Sequence, residues 1–318
     1  MKIKKALVTG GAGFIGSHLS EALVSEGIEV TVLDNLSTGH LSNLASIKDR
    51  ITFYKGDIQD QNTTEKAAKN KDVIFHLAAQ VSVPQSVKAP IESAMINDIG
   101  TLSIFEAARK NHIPRVIFSS SCAIYGDDPH LPKEESMPPK PLSPYAVQKL
   151  MGEYYAKLYK DLHQIDTVCL RYFNVFGPRQ DPSSPYSGVI SLFLTRSVER
   201  QHPVIYGNGQ QYRDFVFVKD VVKANMLAAN TDLASGKVMN IGTGTFIRIR
   251  ELWDKICLLS GWLNEPHYEP ARPGDITASV ASILQASSIL GFEPEYSFEK
   301  GLELTYKWYK ENAAPDTF

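Results

Sequence analysis

A doubly wound α/β fold, with helices on both faces of a parallel sheet, is the class this sequence predicts, on three observations. Short apolar runs alternate with longer amphipathic segments through the first two-thirds of the chain. The first run ends in a glycine cluster that opens the first helical segment. The runs are continuous stretches of apolar residues, the pattern of strands covered on both sides.

In chain order the buried strands are expected at 6–8, 30–33, 51–54, 73–75, 115–118 and 167–170. Helical patterns fall between them near 14–26, 61–69, 91–111 and 145–162. After about residue 176 the pattern loosens into segments such as Gly177-Pro178 and Gly207-Asn208-Gly209. One further strand at 237–241 is expected to rejoin the sheet. Helices near 249–260, 282–290 and 298–311 complete a smaller, mixed α/β C-terminal part. The expected division is 1–175 with about 215–244 for nucleotide binding, and 176–214 with 245–318 for substrate.

The 318 residues supply two domains' worth of core. Basic residues number 33 against 35 acidic, and no Lys/Arg cluster stands out, so nothing calls for nucleic acid or an anionic membrane. Cys122, Cys169 and Cys257 are far apart, which argues for a reducing compartment and against a disulfide framework or zinc. The eight histidines show no metal-ligand spacing, and no metal is expected. Lys2, Lys4 and Lys5 before Ala6-Leu7-Val8 hint at a signal peptide, but Thr9 and the glycines interrupt it early. No apolar stretch reaches the roughly 18 residues of a membrane span, and a cytoplasmic location is expected.

Gly10, Gly13 and Gly16 stand three apart between the first strand and Phe14-Ile15, a variant of the dinucleotide fingerprint of Rossmann folds. A tight turn at the positive end of a helix needs glycine where pyrophosphate approaches the backbone. Asp34 follows at the end of the second strand. Its carboxylate can accept from both adenosine ribose hydroxyls and repel a 2′-phosphate, and no Arg lies between Asn35 and His40 to welcome one. NAD is the expected cofactor.

Tyr145 and Lys149 are four apart at the start of a helix, on one face. Tyrosine is a poor base at neutral pH, and a neighbouring ammonium, joined by the positive charge of NAD, lowers its pKa. Ser119-Ser120-Ser121 lies upstream at the carboxyl end of a strand, where such sheets bind ligands. With Ser121, Tyr145 and Lys149 in this arrangement, the chain resembles the extended short-chain dehydrogenase/reductase family over nearly its whole length. The stretch 32–39, Ser119-Ser120-Ser121 through Tyr125-Gly126, and Leu170-Arg171-Tyr172-Phe173-Asn174 are similar to the UDP-galactose/UDP-N-acetylglucosamine 4-epimerases.

That resemblance implies a mechanism and a set of contacts. The sugar's 4-hydroxyl would bond to Ser121 and Tyr145 while its C4 hydride passes to NAD and returns to the other face. Leu36, Ser37, Thr38, Gly39, Asp57, Ile58, Leu77, Ala78, Ala79, Gln80, Asn97 and Ser119 would line the cofactor, with Tyr172 and Phe173 on the nicotinamide side. Arg213 and Arg272 would hold the diphosphate of a UDP-sugar, with Asp275 beside Arg272. Asn174 would meet the sugar–phosphate end, with Val189 near it, and Val204 and Tyr206 the uracil. Ser279 takes the place of a residue that sits against the sugar's C2 substituent, where a serine leaves room for an N-acetyl group. A homodimer through helices near 97–111 and 145–162 is implied too.

Related 4,6-dehydratases carry Asp-Glu directly after the Ser/Thr, and decarboxylases typically keep the Glu. Cys122 and Ala123 stand there instead, which favours plain epimerisation. A UDP-glucuronate 4-epimerase stays open, as does a non-catalytic NAD-binding protein. The chain departs from the family at Asp98-Ile99, where Val-Asn is common, and at Ser191, where proline is frequent. Glu134-Glu135 is expected to be a solvated face in a Pro-rich loop.

Overall fold

The computed structural model describes residues 3–181, 188–271 and 276–312. Its strands are β1 (Lys5–Thr9), β2 (Glu29–Asp34), β3 (Ile51–Lys55), β4 (Val73–His76), β5 (Arg115–Ser121), β6 (Asp166–Tyr172), β7 (Asn174–Phe176), β8 (Val204–Tyr206), β9 (Tyr212–Arg213), β10 (Phe215–Phe217), β11 (Val238–Ile241), β12 (Ile247–Arg248), β13 (His267–Glu269) and β14 (Ala278–Ser279). Seven of them form one parallel sheet in the order β11-β6-β5-β4-β1-β2-β3. The chain runs outward from β1 to β3 and then returns to β4. The β1–β4 junction is therefore the switch point where such sheets bind ligands.

The helices are α1 (Phe14–Ser25), α2 (Gln61–Ala68), α3 (Val83–Lys88), α4 (Pro90–Ala94), α5 (Gly100–Lys110), α6 (Pro144–His163), α7 (Val189–Val198), α8 (Val218–Asn230), α9 (Ile249–Ser260), α10 (Leu284–Leu290) and α11 (Phe298–Asn312). Successive strand residues face opposite sides of the sheet. Val8, Val32, Phe75, Ile117 and Val168 pack with α1 and α8, whereas Leu7, Leu33, Ile74, Val116 and Cys169 pack with α5 and α6. Both faces are dry, which explains the continuous apolar runs. A separate core around Phe176, Phe193, Phe217, Trp253 and Leu302 joins β7 and β10 to α7, α9 and α11.

Several expectations need correction. β3 is not a buried strand: it forms the sheet edge, and its residues are half-buried or exposed. The helix expected over 91–111 is broken into α4, a π-helical turn at Met95–Ile99, and α5. The sequence reading passed over α3, α7 and α8, although Val218, Val221, Val222, Asn225, Ala228 and Ala229 are buried at helical spacing along α8. Glu135 is not a solvated face. It is half-buried and accepts from the Asn240 N–H at 2.7 Å, tying the 134–135 loop to β11.

Candidate active site

The glycine turn lies against β4 and the N-terminus of α1. Gly10 has φ +69°, and a Cβ there would stand 2.8 Å from the Ala78 nitrogen; one on Gly16 would strike the Gly10 carbonyl. Both positions demand glycine, and the bare backbone they leave at a helix N-terminus fits a pyrophosphate. Asp34 is buried at the end of β2. Its Oδ2 accepts from Ala12 N at 2.9 Å and its Oδ1 from Leu36 N at 2.8 Å, so one carboxylate joins the glycine turn to the 36–39 loop. The second bond holds Leu36 at φ +62°. Asn35 Nδ2 donates to Asp57 Oδ2 at 2.8 Å, bringing the 57–58 segment to the same rim.

Past the switch point, Asn97 exchanges two 2.9 Å bonds with the Gln80 backbone and donates to Gln148 of α6 at 2.8 Å. Gln80 Oε1 is buried with no protein partner, an open acceptor on the cofactor side. His76 sits under this wall between the Thr9 and Thr101 hydroxyls, at 2.8 and 3.0 Å, with burial holding its pKa down to about 3. These residues fit NAD. Tyr172 turns its ring into the first core, where its hydroxyl meets Asn225 at 3.0 Å, and Phe173 packs beside Tyr125 and Ala281.

Ser143 caps α6 by accepting from Ala146 N at 3.2 Å, with Pro144 in the first turn. That cap starts the helix so that Tyr145 and Lys149 face the end of β5. Tyr145 N donates to Ser86 Oγ of α3 at 3.2 Å, a support the sequence did not flag. Lys149 Nζ donates to the Ser119 carbonyl at 2.8 Å and lies 5.9 Å from the centre of the Tyr145 ring. Burial lowers the Lys149 pKa to about 8. Burial also raises Tyr145 to about 12, against the pull of the nearby Ser121 hydroxyl. In the chain alone desolvation dominates; the expected lowering belongs to the site with NAD bound.

The region of β9 and β14 adjoins this group through Cys122. Burial raises its thiol to about 11, the nearby Ser279 hydroxyl and the charge of Arg213 pulling the other way. The thiol is neutral at physiological pH and makes no acid–base pair with Ala123. Ser279 is buried in β14, in register with Arg213 of β9. Beneath them the Asp214 carboxylate accepts from Thr243 N and Oγ1, Gly244 N and Ala281 N at 2.7–3.1 Å. Asp214 was missed by sequence reasoning, as were Glu153 and Arg171. Asn174 Oδ1 is buried without a protein partner, and its N–H donates to the Asp214 carbonyl at 3.1 Å. Val189 opens α7, while Val204 and Tyr206 lie in β8. Arg272 and Asp275 fall outside the described residues.

The model of the NAD dependent epimerase/dehydratase family matches residues 6–242. The chain belongs to that family. A UDP-glucose 4-epimerase of Mycolicibacterium smegmatis is 39% identical over 310 residues, covering 96% of this chain and 98% of its own length. The structure of a UDP-N-acetylglucosamine 4-epimerase from Methanobrevibacter ruminantium, in complex with UDP-N-acetylmuramic acid, superposes with a TM-score of 0.93 at 43% identity. That match covers 98% of this chain and 99% of the other. A Thermus thermophilus UDP-glucose 4-epimerase complexed with NAD gives a TM-score of 0.89 at 36% identity, covering 98% and 100%. The glycine turn and Asp34 lie together at the switch-point end of the sheet. Among the described residues no group of three or more His, Cys, Asp or Glu is placed to hold a metal ion, and no helix is long and apolar enough to cross a membrane.

Proposed function

We propose that this chain is a UDP-sugar 4-epimerase that acts on the N-acetylglucosamine/N-acetylgalactosamine pair and on the glucose/galactose pair. The observation that carries the reading is the end of β5. Ser121 lies beside the Tyr145 hydroxyl there, and the next residue is a neutral thiol where elimination chemistry would need a carboxyl group. NAD, when bound, supplies the hydride acceptor and returns the hydride. Tyr145 takes the proton of the sugar's 4-hydroxyl and gives it back to the 4-keto sugar after the sugar has turned. Ser121 holds the 4-oxygen, and Lys149 adds positive charge that favours the phenolate.

Arg213 and Arg272 are the proposed diphosphate partners, and the buried orphan Oδ1 of Asn174 is a ready acceptor for the sugar–phosphate end. Residues 1–175 with about 215–244 form the proposed cofactor part, and 176–214 with 245–318 the substrate part. The three cysteines are free, consistent with work in a reducing cytoplasm. We also place a homodimer here. Val87, Ile91, Met95 and Ile99 on one side, and Val147, Tyr154, Leu158 and Leu162 of α6 on the other, are exposed at helical spacing. The first row runs upstream of the expected 97–111 segment.

The deciding experiment incubates NAD-loaded protein with UDP-glucose, UDP-N-acetylglucosamine and UDP-glucuronate and resolves the C4 epimers. Interconversion of the first two is expected. Conversion of UDP-glucuronate alone would replace the substrate assignment, and no epimer from any of the three would end the reading.

A further inference from the structure

A bidentate ion pair lies buried directly behind the catalytic serine. Arg171 Nε and Nη2 donate to Glu153 Oε1 and Oε2, both at 2.8 Å, and Ser120 Oγ donates to the same Oε1 at 2.6 Å. Glu153 and Arg171 are each more than nine-tenths buried. The guanidinium also lies 4.8 Å from the centre of the Tyr125 ring, whose hydroxyl is bound to Asn240 at 2.7 Å.

Such a pair is a poor stability device. Desolvating two charges costs several kcal/mol per ion, and apolar replacements are often neutral or stabilising. Here the pair is also imperfectly satisfied, because Arg171 Nη1 is buried with no hydrogen-bond partner. Its location suggests another use. Tyr145, Lys149 and Glu153 recur every four residues on one face of α6. They meet three consecutive residues of β5: Tyr145 lies beside Ser121, Lys149 bonds the Ser119 carbonyl, and Glu153 bonds Ser120. Ser120 is the cross-strand partner of Arg171, so Glu153 grips both central strands one residue before Ser121 and Tyr172. Gly152 lets the helix come that close, since a Cβ there would collide with the Phe118 ring.

We propose that Glu153 and Arg171 are positioning residues for catalysis, locking the rotation and slide of α6 on β5 so that the Tyr145 hydroxyl stays on Ser121. The pair touches no reacting atom. A misplacement of about 1 Å can cost roughly 100-fold in rate, so the alignment is worth the burial.

The inference rests on the epimerase reading, and the test separates the two. Ser120→Ala/Glu153→Met/Arg171→Met removes every contact of the pair and leaves no buried charge or hydroxyl behind, so the fold should survive. Its kcat should fall about 10- to 100-fold, with KM for the UDP-sugar within about twofold. In a Tyr145→Phe background the same three changes should cost nothing further, because a residue acting through Tyr145 is not additive with its loss. A purely structural role would lower both backgrounds by the same factor, and that result, or a wild-type kcat in the triple variant, overturns the proposal. Should the triple variant fail to fold, Ser120→Ala alone should lower kcat about threefold to tenfold in the wild-type background only. If the wild type proves not to be an epimerase, NAD-loaded protein carrying 13Cζ-tyrosine still decides. The charge-free triple variant should raise the Tyr145 titration midpoint by letting its hydroxyl move away from Ser121, and an unchanged midpoint overturns the inference.

Discussion

Two buried carboxylates anchor the two halves of the site by different means. Glu153, behind the catalytic edge, is balanced by a full opposite charge from Arg171. Asp214, beneath the sugar side, is balanced by three backbone N–H groups and one hydroxyl, and burial still raises its pKa. The first arrangement fixes one helix against two long strands. The second gathers β9, the 243–245 turn and the residues after β14, drawn from three distant parts of the chain. On the proposed mechanism, rigid elements hold the group to be aligned for proton transfer, while short strands stapled by dipoles hold the part proposed to fit the substrate. The catalytic edge should therefore control rate, and the sugar side affinity and selectivity.

The largest expected effect is on rate. Tyr145→Phe should lower kcat by about two to four orders of magnitude, the usual worth of a positioned general base. KM for the UDP-sugar and NAD binding should hardly change. Steady-state kinetics check this, and a comparable rise in KM would blur the division between the halves.

Ser279→Tyr tests selectivity. Ser279 is buried beside Cys122 and in register with Arg213, so on the proposed reading a phenol ring there would crowd the sugar's C2 substituent. Turnover of the N-acetylated pair should fall about 10- to 100-fold from overpacking of 1–3 kcal/mol, with the glucose pair spared. Equal loss on both pairs would remove Ser279 from C2 selection. Asp214→Asn should act more mildly and on affinity. An amide turns two donors toward groups that are themselves donors, and losing about 1–2 kcal/mol of bonding should raise KM for the UDP-sugar roughly tenfold. A fall in kcat at unchanged KM would contradict the comparison.

The same contrast explains what the sequence revealed. Gly10, Gly13, Gly16, Asp34, Tyr145 and Lys149 were legible because each sits at a fixed offset from a strand end or along one helix. The pieces of the sugar side are two- and three-residue strands, too short for periodicity, and their partners lie tens of residues away. Asp214 could have been suspected only as a carboxylate directly before the apolar run Phe215–Phe217. Glu153 did carry a signal, the four-residue repeat after Tyr145 and Lys149, but a glutamate on a helix ordinarily faces solvent. β3 was misjudged because Ile51, Phe53 and Tyr54 read as a core run, while edge position depends on strand order and not on composition.

The smallest expected effect concerns stability, and it shows what the catalytic edge gives up. Lys149 is fully buried at 4% exposure, and its pKa falls from the ordinary 10.5 to about 8. Below pH 8 both folded and unfolded chains hold the proton, so the folded state carries the whole desolvation penalty, about 3 kcal/mol by pKa difference. Between pH 8 and 10.5 the folded chain releases the proton while the unfolded chain keeps it. The unfolded state then binds more protons, and wild-type stability rises with pH across that window. Lys149→Met abolishes the penalty but leaves the Ser119 carbonyl without its donor, at about 1–3 kcal/mol. The variant should be inactive, yet melt up to about 4 °C higher than wild type at pH 7, scaling from roughly 2 °C per kcal/mol in a chain of this size. That advantage should shrink from pH 8 upward and reverse by pH 10.5, where only the lost hydrogen bond remains. Calorimetry across that range checks it. A melting difference that stays constant with pH would mean the lysine charge costs the fold nothing.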